Sequence, residues 1–270
     1  MGSLTEPVME LRFGDDDMRR FHRACFYVVC LALILATADA AFCGVKLRYS
    51  TKKGSRSTYQ VVMDGQTSVF VSERSNKTSM RTEMFLTQKV VDYENGLVTL
   101  LTSIDSGSIN INGQQSPLPN IGQKVTSEMK TNGDIVSTSG FNQIDTRNMQ
   151  LVFPEGEVQI GSKWHNTVEP NLQVPVPLEV TYKVLSFEKI KNFDCVKIAS
   201  TVRSGKKSTI EGLSLNVKAD GFIYFAYKEG KMIRNEVKST MRMILKRVIN
   251  NQPQSIITKM MMNMKMEHQF

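Results

Sequence analysis

Five of the seven residues from Met260 to Met266 are methionine. A thioether has three uses: it ligates soft monovalent copper, it adapts to apolar ligands, and it fills irregular cores. In a strand, Met260, Met262, Met264 and Met266 share one face with His268, and Met261 falls on the other face with Lys259, Asn263, Lys265 and Glu267. Neighbours on one face are roughly 6.5–7 Å apart. A copper(I) ion would therefore need donors from a second strand, such as Met241 or Met243. The same alternation recurs at Met80, Met84 and Leu86 and at Met241, Met243 and Leu245. Three readings stay open. The residues pack a core; or Met80, Met84, Leu86, Met241, Met243, Met260, Met262, Met264 and Met266 form the wall of an apolar pocket; or, more weakly, some of them bind Cu(I).

Other chemistry is sparse. His165 and His268 stand in no H-E-x-x-H spacing, and no C-x-x-C is present. No G-x-S-x-G elbow or glycine-rich phosphate loop occurs. S-x-x-K recurs at Ser127/Lys130, Ser186/Lys189 and Ser204/Lys207, in strand or turn sequence, and reads as surface. Asn76-Lys77-Thr78 is an acceptor for N-glycosylation in a eukaryotic host. No residue set proposes a catalytic centre, a cofactor or a nucleic-acid partner, so the expectation is a protein that is not an enzyme.

Residues 18–43 read MRRFHRACFYVVCLALILATADAAFC. Three arginines precede an apolar run from Ala24 to Ala36, and Ala38-Asp39-Ala40 fits a small-residue cleavage site before Ala41. The run is shorter than the ~20 residues a membrane helix needs. It reads as a cleaved signal peptide, with an uncleaved anchor as the alternative. Residues 1–17 are acidic and precede the basic start, as an upstream extension ahead of initiation at Met18 would. The expected location is periplasmic or extracellular. Without residues 1–40 the chain keeps 30 basic and 20 acidic side chains. That excess suits an anionic membrane or polymer surface, or simply keeps exposed strand faces soluble.

Export removes Cys25 and Cys30 and leaves Cys43 and Cys195 where disulfides are permitted. The two can pair, or Cys43 can be lipidated, although Phe42 is not the small residue such a signal wants. Cys195 also fits a buried thiol.

Behind these residues lies a chain of period two. Asn95-Gly96, Asn112-Gly113 and Asn132-Gly133 separate alternating runs and predict tight hairpins, as do Asp64-Gly65, Asp220-Gly221 and Glu229-Gly230. Lys130 to Val136 and Lys218 to Tyr224 echo one another faintly. Residues 142–152 carry a weak helical spacing that Pro154 would end. The expected fold is mainly β: one long, curved antiparallel sheet, a half-barrel or open barrel, with a short helical connector. Residues 41–270 would form one β-rich domain, with strand groups 44–141 and 178–270 joined by the connector 142–177.

That connector holds the single tryptophan. Phe153-Pro154, Val158, Gly161 and Trp164 form an F-P…V-x-x-G-x-x-W element. With the β-rich sequence around it, this resembles poorly characterised families of exported bacterial envelope proteins. The resemblance implies an envelope location and a half-barrel like the lipoprotein-carrier folds, and it implies no catalytic residues. Physically, Trp164 would anchor the connector by burying a large ring. The functional expectation is a non-enzymatic envelope or periplasmic protein binding an apolar or lipidic ligand. The alternative is a structural or adhesive envelope protein contacting anionic polymer or membrane.

Overall fold

The computed structural model describes residues 44–71, 74–140, 150–168, 176–204, 212–249 and 252–270. The N-terminal extension, the signal sequence, Cys43, Pro175 and most of the weakly helical stretch lie outside them. The described part of that stretch, from Gln150 to Val152, is not helical.

Alternation produces strands almost everywhere. In chain order they are β1 (Val45–Lys46), β2 (Arg56–Val71), β3 (Arg74–Glu94), β4 (Leu97–Ile111), β5 (Gln114–Pro117), β6 (Lys124–Lys130) and β7 (Ile135–Gly140). Then follow β8 (Glu157–Val158), β9 (Lys163–Val168), β10 (Leu178–Ile190), β11 (Phe193–Ser204), β12 (Leu213–Ala226), β13 (Lys231–Ile249) and β14 (Gln252–Gln269). Among the described residues, twelve strands make one antiparallel sheet ordered β7-β6-β4-β3-β2-β14-β13-β12-β11-β10-β9, with β5 beside β4; β1 and β8 pair separately. The sheet is two meanders joined at one seam. The first strand of one, β2, pairs with the last strand of the other, β14, from Ile256↔Val71 to Gln269↔Thr58.

Asn95-Gly96 and Asn112-Gly113 form turns in which both residues take positive φ, 52° and 81°, then 52° and 91°. Asn132-Gly133 and Glu229-Gly230 also turn the chain. Asp64-Gly65 and Asp220-Gly221 do not. Both lie inside strands, so β2 and β12 each run on through an expected hairpin. Each aspartate instead reaches an arginine on the neighbouring strand, Arg81 and Arg203. Gly221 lets the neighbouring backbone approach closely, the other role of a strand glycine, whereas a side chain at Gly65 would meet its neighbours in ordinary contact. The echo between residues 130–136 and 218–224 therefore has no structural counterpart: one copy is a turn and the other is mid-strand.

One short segment shows how far the sheet curls. The Tyr49 amide donates to the Thr131 carbonyl at 2.7 Å, and the next amide, Ser50, donates to Gly230 at 2.9 Å. Thr131 follows β6 and Gly230 precedes β13, and β4, β3, β2 and β14 lie between those strands. On a flat sheet those sites would be roughly 24 Å apart. Adjacent residues can meet both only if the sheet wraps round them, as a long twisted sheet tends to.

The wrapped end is plugged. Leu47 and Tyr49, from the segment before β2, and Leu151, Phe153 and Val158, from the connector, pack with Tyr59, Leu86, Val98, Met129, Ile198 and Phe225 of the sheet. Phe153 meets Phe225 edge-on, with ring centroids 4.6 Å apart. Trp164 stacks on Tyr182 at 5.2 Å and donates its indole N–H to the Val152 carbonyl at 2.8 Å. It is the connector's anchor. The two sheet edges, β7 and β9, are six residues each, short enough to limit edge-to-edge pairing.

Candidate functional site

The face that carries Tyr59, Val61 and Leu86 toward the plug is the inner face, and register extends it along every strand. Met264 lies opposite Met63 on one side and Val237 on the other; Met266 lies between Val61 and Asn235. Toward the far end, Met262 lies between Gly65 and Ser239, and Met260 directly faces Met241. Met80 joins this face beside Gly65, and Met84 beside Val61. Met243 follows opposite Thr258. The expected wall residues therefore share one face of β3, β14 and β13, with β2 lying between β3 and β14.

They do not share one environment. Leu86 and Met266 are sealed in the core, 1% and 6% exposed. Met63, Met84 and Met264 are partly buried and pack against that core. Met80, Met241, Met243, Met260 and Met262 lie beyond it and keep part of their surface accessible. The inner face thus has a plugged half and an open half, and the methionines run across the boundary. Met261 points the other way and is 57% exposed.

The outer face carries a groove of about 1170 Å³. Seven strands from β4 to β11 line it, through Asn110, Arg81, Asp64, Asn263, Lys238, Asp220 and Thr201. The twisted sheet is therefore concave on this side as well. Asp64 accepts two bonds from one Arg81 nitrogen at 2.9 and 3.0 Å. Asp220 pairs with Arg203 at 3.0 Å. Of the nine expected wall residues, Met80 borders this groove. Nothing in the sequence singled out the groove, because its polar residues occupy alternate positions that read as an ordinary solvated face.

A second cluster, also missed, lies near the chain end. His268 is 8% exposed, and its Nε2 accepts from the Lys231 ammonium at 3.2 Å. Tyr59, Phe193 and Phe270 pack edge-on around the ring at centroid distances of 5.6, 6.2 and 5.0 Å. Burial first, then the charges of Lys231 and Lys191, push the imidazole down to about 4. Burial also lowers Lys231. His268 is thus neutral near pH 7. Its Nδ1 has no hydrogen-bond partner, so no carboxylate orients the ring as a catalytic base requires. His165 lies on the outer face, exposed, with Nδ1 2.9 Å from the Thr181 hydroxyl.

Cys195 is a free, fully buried thiol beside Ala226 and Ile233, pushed up to about 11 chiefly by burial. Its proposed partner Cys43 lies outside the described residues. Among the S-x-x-K serines, Ser127 is buried, 3% exposed, rather than superficial. Lys130 pairs with Asp134 at 2.8 Å. Asn76 is exposed in β3, opposite Val69 on the inner side. Among the described residues no three His, Cys, Asp or Glu side chains are grouped as metal ligands.

No protein-family model and no curated protein matches the chain. Solved structures do. A structure titled for lipid–protein interactions in lipovitellin superposes with a TM-score of 0.51 at 11% identity, over 82% of this chain and 26% of that one. This chain thus spans about a quarter of the lipovitellin chain. Two bacterial matches score lower. A lipoprotein candidate from Parabacteroides distasonis has a TM-score of 0.28 at 13% identity, covering 78% of this chain and 97% of its own. An exported-protein candidate with a YmcC-like fold from Bacteroides fragilis has 0.27 at 11%, covering 80% and 98%. At such identity the lipovitellin match establishes a shared fold: a large antiparallel sheet of the kind found in lipovitellin.

Proposed function

We propose that this chain is an exported, non-enzymatic binding protein that holds a lipid-like molecule against the open half of its inner face. One observation carries the reading. The apolar stripe that packs the core does not stop where the plug stops; it continues through Met262, Met260, Met241 and Met243 with no core residue packed over them. Methionine suits a variable hydrocarbon occupant better than a fixed one, because its thioether is flexible and polarizable. The outer-face groove mixes polar and charged side chains with Phe222 and Met261, and no apolar stripe runs through it from the core. The lipovitellin structure, titled for its lipid contacts, is similar in fold and supports this use of a large sheet. Export is supported by the basic, apolar and small-residue order of residues 18–40.

The test has two parts. Native mass spectrometry of protein purified from its source should show a retained lipid mass that organic extraction removes. An NBD-labelled fatty acid should bind the emptied protein and brighten, and Met241→Glu with Met243→Glu should weaken this at least about tenfold, since a charge at an apolar contact is costly. Thermal melts confirm that the double variant is folded. A wild-type protein that leaves the probe dark, or a folded double variant that binds it equally, overturns the reading. Amino-terminal sequencing of the released protein checks export: it should begin at Ala41.

A further inference from the structure

At the far tip of the central strands the one-sided pattern breaks down. Along much of the sheet an apolar inner residue alternates with a polar outer one, as a sheet with one wet face requires, with exceptions such as Val61-Val62 and Met260-Met261-Met262. At the tip, Val69-Phe70 of β2, Ile256-Ile257 of β14 and Ile244-Leu245 of β13 are consecutive apolar pairs. Consecutive strand residues point to opposite faces, so the tip is apolar on both. Register brings the pairs together: Phe70, Ile257 and Ile244 align across the outer face, and Ile256 and Leu245 across the inner. None belongs to the buried core, and Val71 at the end of β2 is 38% exposed.

Two residues farther from the tip, on the outer face, a basic row crosses the same strands. Lys77 faces Ser68, Ser68 faces Lys259, and Lys259 faces Arg242. The Lys259 ammonium reaches back to 5.3 Å above the Phe70 ring. Among the described residues around the tip, 68–71, 74–79, 213–218, 240–246 and 254–261 include six lysines or arginines and no aspartate or glutamate; Glu73 and Glu211, which adjoin these ranges in sequence, lie outside the described residues. One strand step of two residues is ~7 Å. An apolar edge backed at that distance by cations matches the depth, ~5–10 Å, at which interfacial segments seat below lipid headgroups.

We propose that this tip docks on anionic bilayers, with the apolar pairs entering the acyl boundary and Lys77, Lys259 and Arg242 meeting lipid phosphates. An anionic polymer would use the cations but leave the outer Phe70, Ile257 and Ile244 without a role. The docking does not depend on a ligand being held on the inner face, although the open half of that face begins at the tip and would be delivered to the membrane by it.

The experiment is vesicle co-sedimentation of residues 44–270, whose core cluster is built from residues 45–266 and which lacks the apolar leader that would itself seek lipid. The chain should sediment with phosphatidylcholine vesicles containing phosphatidylglycerol, much less with phosphatidylcholine alone, and be released by salt. Phe70→Asp with Ile257→Asp should reduce binding about tenfold or more. Neutralising Lys77, Lys259 or Arg242 to Gln should each reduce it about fivefold, the effect of about 1 kcal/mol per charge near an anionic surface. Val136→Asp, on the exposed β7 strand, should change nothing. Melting curves establish that every variant folds.

The proposal falls if the wild type ignores phosphatidylglycerol vesicles, or if the folded Phe70/Ile257 variant binds as well as the wild type. It falls equally if soluble polyphosphate is bound and only the charge variants matter, since the surface then reads a polymer. A wild-type dimer that ignores vesicles and is split by Ile257→Asp would make the tip a self-association face and also overturn it. NBD-fatty-acid binding of the same variants keeps the two ideas apart: Phe70 and Ile257 face outward, so their replacement leaves inner-face binding intact.

Discussion

The Tyr49 hydroxyl accepts a hydrogen bond from the Leu151 amide at 3.0 Å, joining the segment before β2 to the connector 102 residues away in sequence. Both residues are buried, and burial raises the Tyr49 phenol well above its ordinary range. The bond ties the two segments of the plug to each other. Tyr49→Phe keeps the ring against Phe153 and Phe225 but leaves the Leu151 amide unpaired. An orphaned buried donor costs about 1–3 kcal/mol. Urea denaturation should show that loss with an unchanged slope, and a variant as stable as the wild type would remove the plug's supposed role.

Two glycines within strands make a matched pair. A side chain at Gly221 would collide with the Glu236 carbonyl and press on Val237, and those backbone atoms cannot swing aside. At Gly65 the nearest atoms stand 3.8 Å away, ordinary contact. Gly221→Ala should therefore cost about 1–3 kcal/mol through overpacking. Gly65→Ala should be neutral or stabilise by up to about 1 kcal/mol through the unfolded chain. Parallel thermal melts decide it; equal effects at both sites would mean that the β12–β13 approach is looser than described.

These glycines also mark where the sequence could be read and where it could not. Period-two alternation identified the long strands, because each has one face against the core, and Asn95-Gly96 announced its turn through the positive φ that both positions need. Asp64-Gly65 carries the same local signal but serves a cross-strand ion pair, which depends on a partner strand. The inner-face methionines were legible as one stripe. Their division into core and open surface was not, since Met260 and Met266 have the same alternation and differ only in whether Leu47, Tyr49 and Phe153 cover the neighbourhood. The Lys231–His268 contact spans 37 positions and has no local signature at all.

That division is itself measurable. Met266 is 6% exposed within the core, while Met260, six residues earlier on the same strand and face, lies outside it. Met266→Ala should cost about 2–5 kcal/mol, the usual loss for a buried long side chain. Met260→Ala should cost less than about 1 kcal/mol, because surface changes rarely exceed ~0.5 kcal/mol. If both cost the same, the open half is filled in solution by something tightly packed.

His268 predicts how stability depends on pH. Its folded-state value is lowered to about 4 from an ordinary 6.5, so between those values the unfolded chain binds the proton and the folded chain resists it. Stability therefore rises with pH across that window. The contribution is fully present above about 6.5, is lost progressively as pH falls, and levels off below about 4. The groups facing the ring are Lys231 and Lys191, which oppose a second positive charge, and Tyr59, Phe193 and Phe270, which exclude water. Between pH 7 and pH 4 the wild type should lose roughly 2–3 kcal/mol more than His268→Gln, which cannot take up the proton. Carboxylates titrate in the same range in both proteins, so the difference between their denaturation midpoints isolates the imidazole. Identical pH profiles for the two would mean that His268 can be protonated freely in the folded chain, and that its pocket is open to water.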